Sequence, residues 1–420
     1  MAASPSTARA INDRLALRLL QDEGPLTAAQ LKTLTGLSRP TVADLVERLR
    51  GSGLVHVVGE AGAERRGPNA KLYGIVAGRA HLAALDVRTR SVSVAVADLL
   101  GTTLAEASAP VGDDGGTGPA VEKAVALLER TVKEAGVDAP HSVAIGAPGL
   151  IEPVTGELRD STGLPAWHRR LVAVLQDRLP ARVLVENETN LAALAELREG
   201  AARDREDFVL LWLGQGVGAA VVLDGRLRRG ASGGAGEIGF LPVPGTSGLP
   251  SATGCDGGFH ELACTAAVEA LAREHGLDPA TALASGHEPF LDAVARRLAV
   301  GAAAVAAVLD PGCVVLGGET GHSGGAALAA RVEAELAALS PLRTEVRATA
   351  LGDAAVLRGA LLTARDAAQE DLFPQGRQGR PGETRGKGPG GAVPKDGETP
   401  PRRAPDREAR RGGSRRRQGP

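Results

Sequence analysis

Aromatic side chains are almost absent from this sequence, at 2% of 420 residues. The cores must therefore be built from Ala, Val and Leu, within an apolar fraction of 43%. Cysteine is also scarce: Cys255, Cys264 and Cys313 form neither a CxxC pair nor an even disulfide framework, so we expect a reducing, cytoplasmic setting. There is no basic-then-apolar leader, and no apolar run approaches about 20 residues, which argues against export and against a membrane partner.

Charge is nearly balanced overall but unevenly distributed along the chain. From residue 377 onward there are thirteen Lys and Arg against five Asp and Glu, a net of +8, so the rest of a chain with formal charge -2 carries -10. The segment 371–420 is mostly Gly, Pro and Arg with little to bury, and we predict a disordered basic tail. A basic tail on an acidic body is a weak indication of a polyanionic partner.

Residues 11–76 have the organisation of a winged helix-turn-helix domain. Residues 1–10 are predicted to be unstructured, and Ile11 opens a first helix. Thr27 and Gln30 have the spacing of a capping box at the start of a second helix, and Ser38 caps a third. The apolar residues of the third helix recur at helical spacing and are predicted to face inward: Val42, Leu45, Val46 and Leu49.

Two predicted strands, Leu54–Val58 and Lys71–Ile75, complete the domain as a hairpin with a basic tip. Such a module lays its third helix in the major groove of double-stranded DNA, commonly as a dimer on two half-sites. A small structural three-helix bundle is the alternative. The predicted contacts to operator bases or phosphates are Ser38, Arg39 and Thr41, and those to phosphate are Arg48, Arg65 and Arg66.

The region 80–370 reads as an α/β domain with two similar lobes. Each half begins with a strand, a polar turn, a second strand, a hairpin and a third strand, which predicts a cleft between two related sheets. The long glycine-rich stretch Arg229–Gly258 is predicted to be a functional loop.

Polar residues at a strand-to-helix corner mark the candidate site. Asn187 and Glu188 follow the apolar strand that begins at Val183, where an open α/β sheet presents groups to a ligand. With Glu237 and Glu261 they form a set of carboxylates and a carboxamide suited to the vicinal hydroxyls of a sugar. Acids scattered over the surface are the alternative interpretation.

The chain resembles the ROK family of bacterial sugar kinases and sugar-responsive repressors. The resemblance rests on VLVENETNLAALAEL, on LWLGQGVGAAVVLDGRLRRGASGGAGEIG, and on IGAPGLIEPVTGEL followed by GLPAW. It implies a two-lobed, actin-like ATPase-type fold with sugar bound between the lobes, and the N-terminal module matches the repressor branch. By the same resemblance Asn187, Glu237 and Glu261 bind sugar hydroxyls, and Glu188 stands where the kinases carry a catalytic aspartate.

Departures from the family pattern argue against catalysis. Glu188 is one methylene longer than aspartate, which moves the carboxylate by about 1.5 Å, and a misplacement of about 1 Å can cost on the order of a hundredfold in rate. The first phosphate turn lacks both of its glycines and reads Asp86-Val87-Arg88-Thr89-Arg90, and Gln215 replaces a threonine in the second. Arg88 and Arg90 could attract phosphate by their charge, but such residues more often lie on a solvated turn, and this is the expectation.

The zinc site of the family is also missing from the sequence. Phe240 stands at the position of its histidine, and Ala252, Gly254 and Phe259 stand at those of its cysteines, so we predict no metal and no cofactor.

These observations favour a sugar-responsive transcriptional regulator without kinase activity, a repressor that acts as a homodimer or homotetramer. Its predicted partners are operator DNA and a sugar or sugar phosphate effector. A sugar kinase that kept a DNA-binding arm is one alternative. A regulator whose cleft serves only as a dimerisation scaffold is another.

Overall fold

Residues 5–61 and 70–75 form three helices and three strands, in the order α1 (Pro5–Asp22), β1 (Leu26–Thr27), α2 (Ala28–Thr35), α3 (Arg39–Gly51), β2 (Val55–Ala61) and β3 (Ala70–Ile75). The structure is a computed structural model, and it describes residues 5–61, 70–111, 116–152, 155–158, 166–251 and 253–373. The predicted basic tail lies outside the described residues from 374 onward, while residues 371 and 372 belong to the last helix.

Local signals in the sequence determine the ends of the second and third helices. The Thr27 hydroxyl accepts a hydrogen bond from the backbone N–H of Gln30 at 3.2 Å, and the Gln30 side chain accepts from the Thr27 N–H at 2.9 Å. Gly36, at φ 68°, ends α2 in the left-handed conformation that glycine adopts freely. The hydroxyl of Ser38 caps α3 and the predicted inward residues are buried, which confirms the helix pattern.

The start of the chain differs from the prediction, because α1 begins at Pro5 rather than after residue 10. Its buried face includes Ala10, Asp13 and Leu17, whereas Ile11 is 56% exposed. Proline fits the first helical turn, where its missing N–H has no partner to lose. The two-residue strand β1 was not predicted; it pairs with β3, so the sheet has the order β1-β3-β2.

An ion pair between Arg48 and Asp13 joins α3 to α1. Arg48 Nη2 lies 2.6 Å from Asp13 Oδ1 and Nε lies 3.2 Å from Oδ2, while the Asp13 residue is only 5% exposed. The side-chain hydrogen bond to Asp13 raises the pKa of Arg48 above its usual value. The guanidinium is therefore engaged inside the module, and this placement differs from the phosphate contact predicted for Arg48.

The rest of the described chain forms two sheets of five strands. The first sheet and its helices are β4 (His81–Val87), β5 (Ser91–Asp98), β6 (Thr103–Pro110), α4 (Thr117–Glu134), β7 (Ser142–Ala147), α5 (Trp167–Arg178), β8 (Arg182–Asn187) and α6 (Glu188–Glu199). The second sheet begins with β9 (Phe208–Leu213), β10 (Val217–Leu223) and β11 (Arg226–Arg228). It continues with α7 (His260–Ala263), α8 (Thr265–Glu274), α9 (Glu288–Leu309), β12 (Cys313–Gly317), α10 (Gly318–Leu339), β13 (Glu345–Ala348) and α11 (Ala355–Leu372).

The two sheets have the same topology, with orders β6-β5-β4-β7-β8 and β11-β10-β9-β12-β13. In each, the first three strands pair antiparallel and the last two add in parallel. The expected duplication of the α/β lobes is therefore confirmed. The sequence also predicts one helix over about Phe259–His275, which the structure splits into α7 and α8 at Cys264, whose ψ of 159° is extended.

Helices α6 and α11 lie between the two sheets, α11 against the first and α6 against the second. Their buried residues belong to one hydrophobic cluster with residues of both sheets and of the winged helix-turn-helix domain. The outer face of the first sheet packs against α4 and α5, and that of the second against α8, α9 and α10. The DNA-binding module and the α/β body are thus joined by continuous apolar packing.

The Arg48–Asp13 pair predicts a stability difference. Asp13→Asn leaves the half-buried guanidinium without its ionic partner, so we expect the α1–α3 contact to lose about 1–2 kcal/mol. Hydrogen exchange of the α1 and α3 amides measures this local stability. Glu47→Gln is the matched control: it removes an exposed pair with Arg50 at 2.9 Å, and we expect a change below about 0.5 kcal/mol. Wild-type amide protection in Asp13→Asn would contradict the prediction.

Candidate functional site

Asn187 is the N-cap of α6 at the corner where β8 ends. Its Oδ1 accepts from the backbone N–H groups of Thr189 at 2.9 Å and Asn190 at 3.3 Å. Its Nδ2 donates to the carbonyl of Gly149 at 3.1 Å and to Glu188 Oε2 at 3.2 Å. The side chain that was predicted to bind sugar is therefore engaged within the protein. The sequence contained the signal for this role, because asparagine before a helix is a favoured cap.

Glu186 is a second polar residue at the corner, and sequence reasoning gave it no role. It is buried, and Oε1 accepts from the Asn187 N–H at 3.0 Å and from Asn190 Nδ2 at 2.9 Å. Its Oε2 accepts from Arg229 Nε at 2.6 Å. Arg229 follows β11, so this pair ties the corner of the first sheet to the beginning of the long loop of the second. An acidic residue directly after the apolar run Val183–Val185 and before the capping Asn187 was the available signal.

Glu188 begins α6 and lines a cavity of about 310 Å³ between the two sheets. Burial raises the pKa of its carboxyl to about 8, and the nearby carboxylates of Asp86 and Glu237 act in the same direction. The raised pKa favours the protonated form of Glu188 up to a higher pH than in an ordinary glutamate. A neutral carboxyl both donates and accepts hydrogen bonds, which suits a ligand hydroxyl.

Arg88 folds back into this cavity, and the expectation of a solvated turn was wrong for it. Its Nε donates to the buried Asp86 at 2.9 Å, and its Nη1 lies 4.0 Å from Glu319 at the start of α10. Its Nη2 donates to the Asp353 carbonyl at 3.4 Å. A guanidinium thus bridges the first sheet to elements of the second half, at the turn where kinases of the family bind phosphate.

The second turn also approaches this region closely. A Cβ on Gly214 would lie 2.7 Å from Glu319 Oε2, so a larger residue there would require the flexible Glu319 side chain to shift. Trp212 and Gln215 complete the wall of the cavity on this side.

Glu237 lies on the long loop and Glu261 lies on α7, and their side chains have different surroundings. Glu237 is exposed, and it is close enough to Glu188 to contribute to the raised pKa. Glu261 accepts from the N–H of Ser247 at 2.9 Å, from the Ser247 hydroxyl at 2.7 Å and from the Gly257 N–H at 2.8 Å. These bonds, that of the hydroxyl first, lower its pKa below the usual value. Glu261 therefore holds the loop together and is not a free ligand group.

Metal ligands are not grouped in the described part of the chain, where no three His, Cys, Asp or Glu side chains are arranged to hold an ion. His260 and Cys264, one helical turn apart, hydrogen-bond to each other, and this bond raises the pKa of the imidazole. The three cysteines are free, with Cys264 and Cys313 buried.

The predicted DNA contacts lie at the N-terminus of α3. Ser38 and Arg39 are exposed and Thr41 is half-buried, and the two hydroxyls are 2.8 Å apart. The tip of the wing between β2 and β3, with Arg65 and Arg66, lies outside the described residues. Across the described ranges, no helix is long and apolar enough to cross a membrane.

Comparison with known proteins identifies both parts. A model of the ROK family matches residues 82–367, and a model of winged helix-turn-helix DNA-binding domains matches residues 9–56. The xylose repressor of Caldicellulosiruptor bescii is 26% identical over 241 residues, 56% of this chain and 59% of the repressor. The glucokinase of Halalkalibacterium halodurans is 29% identical over 205 residues, 43% of this chain and 62% of the kinase. The chain thus spans less than two thirds of the length of either relative.

A solved structure supports the fold across most of the chain. The crystal structure of a ROK family transcriptional regulator, a homolog of the Escherichia coli MLC protein, has a TM-score of 0.70 and is 21% identical. The match covers 87% of this chain and 98% of that one. With the two-lobed, actin-like body and the ROK match over residues 82–367, the chain belongs to the ROK family and carries a winged helix-turn-helix domain at its N-terminal side.

Proposed function

We propose that this protein is a cytoplasmic, sugar-responsive transcriptional regulator that represses its operator without phosphorylating its ligand. The observation that carries the proposal is the pairing of an exposed recognition-helix N-terminus with a cleft whose phosphate turn is filled by Arg88. The relatives that are repressors support it. As in other helix-turn-helix proteins, a homodimer or homotetramer would place two α3 helices on two half-sites.

The described geometry of the cleft argues against phosphoryl transfer. A kinase needs the turn after β4 to admit phosphate and the residue at position 188 to accept a proton from the sugar. Here the Arg88 guanidinium is hydrogen-bonded to Asp86 in that turn, and the raised pKa of Glu188 favours its protonated form. Glu188 is therefore better suited to binding a hydroxyl than to removing its proton. ATP-dependent phosphorylation of a sugar that disappears in Glu188→Ala would identify the kinase alternative instead.

Operator recognition is assigned to the start of α3, with Ser38, Arg39 and Thr41, and to the wing with Arg65 and Arg66. Arg48 is not included in this proposal, because its guanidinium pairs with Asp13. Two acids of α3, Asp44 and Glu47, are exposed, and their negative charge disfavours contact between this part of the helix and DNA phosphates. We therefore assign base reading by α3 to its first turn.

The dimerisation-scaffold alternative also has an observation in its favour. Asn187 and Glu261, two of the four predicted sugar contacts, have their side chains engaged in hydrogen bonds within the protein. Under this alternative the cleft binds no effector and the body only joins subunits.

Arg39→Ala tests DNA reading. If Arg39 contacts a guanine edge, we expect a loss of about 1–3 kcal/mol on an operator recovered by in vitro selection, and a smaller loss on random duplex. Fluorescence anisotropy at fixed salt measures both. Arg50→Ala, at the other end of the same helix, is the control and should leave the specificity ratio unchanged. Equal losses on the two DNAs would make Arg39 a phosphate contact.

The protonated state of Glu188 predicts a pH dependence of stability. The folded state holds this proton up to about pH 8, whereas the unfolded chain releases it near the ordinary value of 4.5. Wild-type stability should therefore fall between these pH values relative to Glu188→Gln, by on the order of 1 kcal/mol per pH unit at most. Thermal unfolding from pH 5 to 9 measures this difference. Glu206→Gln, at an exposed site, controls for the loss of one carboxylate, and parallel curves for wild type and Glu188→Gln would refute the assignment.

A ligand screen separates the sensor from the scaffold. We expect at least one sugar or sugar phosphate to raise the melting temperature of the full chain, because a ligand that binds only the folded state stabilises it. The shift should be lost in Glu188→Ala and retained in Glu206→Ala. A complete panel without any shift would favour the scaffold alternative.

A further inference from the structure

A second cavity, of about 570 Å³, lies where the DNA-binding module meets the body. One wall is α1, with Arg14, Arg18 and Gln21, and the opposite wall includes Arg365 and Gln369 of α11. Residues of β8 and α6 also line it. No residue of the cleft cavity around Glu188 belongs to this lining, so the two described cavities are separate.

Two side-chain hydrogen bonds fix one edge of this junction cavity. Gln369 Nε2 donates to Gln21 Oε1 at 3.0 Å, and Gln21 Nε2 donates to the Leu100 carbonyl at 3.4 Å. Phe373, only 2% exposed, is part of the lining. The cavity is therefore a defined space between two packed elements, with one wall from each domain.

The charges around the junction cavity are not balanced. Two of its acids are paired: Asp366 receives both Nη atoms of Arg198 at 2.8 and 2.6 Å, and Glu370 pairs with Arg182 at 3.2 Å. Three other arginines, within the part of the chain that the structure describes, have no carboxylate partner: Arg14, Arg18 and Arg365. Asp22 is the one acid of the lining left without an ion pair there. Three unmatched cations thus face one unmatched anion.

Arg365 is the cation of this lining that is most strongly desolvated. Its Nε is buried and has no hydrogen-bond partner, and burial lowers the pKa of the guanidinium from its usual value. A buried donor without an acceptor is costly, and the cost is larger for a charged group. An anion in the cavity would offset the positive charge of this desolvated guanidinium.

We propose that the junction cavity binds a small phosphorylated metabolite through Arg14, Arg18 and Arg365. Guanidinium groups bind phosphate oxygens with paired, charge-assisted hydrogen bonds, and the volume is that of a small-molecule site. A cationic or apolar ligand would leave the excess positive charge of the lining without compensation. The chain's own segment from residue 377 is an unsuitable occupant, because its thirteen basic and five acidic residues give a net charge of +8.

Such a ligand would control the position of the DNA-binding module. Its phosphate oxygens would bridge arginines of α1 to one of α11, so it would bind best when the two domains are docked as described here. A ligand with this preference stabilises the docked arrangement. The binding site stands on the geometry alone, whereas its effect on operator affinity rests on the proposed function.

Titration calorimetry of the full chain with pyrophosphate, at constant ionic strength, tests the site. We expect saturable binding at one site per chain. The double variant Arg14→Gln/Arg18→Gln should weaken it by about tenfold per arginine. Arg18 is exposed and Arg14 is half-buried on α1, and neither belongs to the hydrophobic core, so we expect the variant to fold. Arg9→Gln, exposed on the same helix but outside the cavity, is the matched control and should bind as wild type does.

Three outcomes would overturn the proposal. The first is the absence of saturable binding, and the second is equal affinity in wild type and the double variant. The third combines two results: the wild type binds no pyrophosphate, and the double variant has a lower operator affinity with a weaker salt dependence of DNA binding. The arginines would then contact DNA phosphates. Failure of the sugar screen leaves the calorimetric result intact, so the two proposals fail separately.

Discussion

The contact between α6 and α11 is the constraint on which the rest of the body depends. A Cβ on Gly359 of α11 would lie 2.0 Å from the carbonyl oxygen of Leu191 in α6, so the two backbones touch. Both helices lie between the sheets, and any larger residue at position 359 would separate them. The N-terminus of α6 presents Glu188 to the cleft, and α11 presents Gln369 to the DNA-binding module. One helix pair therefore connects the two functional regions.

Much of the fold was predictable because its signals are local. The capping residues Thr27 and Ser38, the helical spacing in α3 and the apolar strands each lie within a few residues of the element they define. The missed features depend on distant partners. Strand β1 exists because Leu26 and Thr27 pair with β3, more than forty residues later in the chain. The break between α7 and α8 at Cys264 was missed for a different reason, because no glycine or proline stands there to mark the end of a helix.

In the candidate site, likewise, the sequence predicts the position of the polar residues but not their hydrogen-bond partners. The sequence located the corner after β8, yet it did not predict how its polar groups are occupied. Asn187 caps α6 and Glu186 holds Arg229, which is 43 residues away in the chain. Whether a polar side chain faces a ligand or a neighbour depends on such pairs, and composition does not specify them. Of the residues proposed from the sequence to bind sugar, Glu188 is the one that lines the cleft cavity.

Ion pairs and hydrogen bonds within the protein connect the two sides of the cleft, at the position where kinases of the family bind nucleotide. Arg88 joins Asp86 to the second half through Glu319 and the Asp353 carbonyl, and Glu186 does so through Arg229. Opening the lobes would lengthen these contacts and leave the buried Asp86 without its cation, which is unfavourable. An effector can change the lobe angle only by binding one arrangement better than the other. Under the proposed function, a ligand hydroxyl bound by Glu188 would provide such a difference, and the close α6–α11 contact lies between this residue and the DNA-binding module.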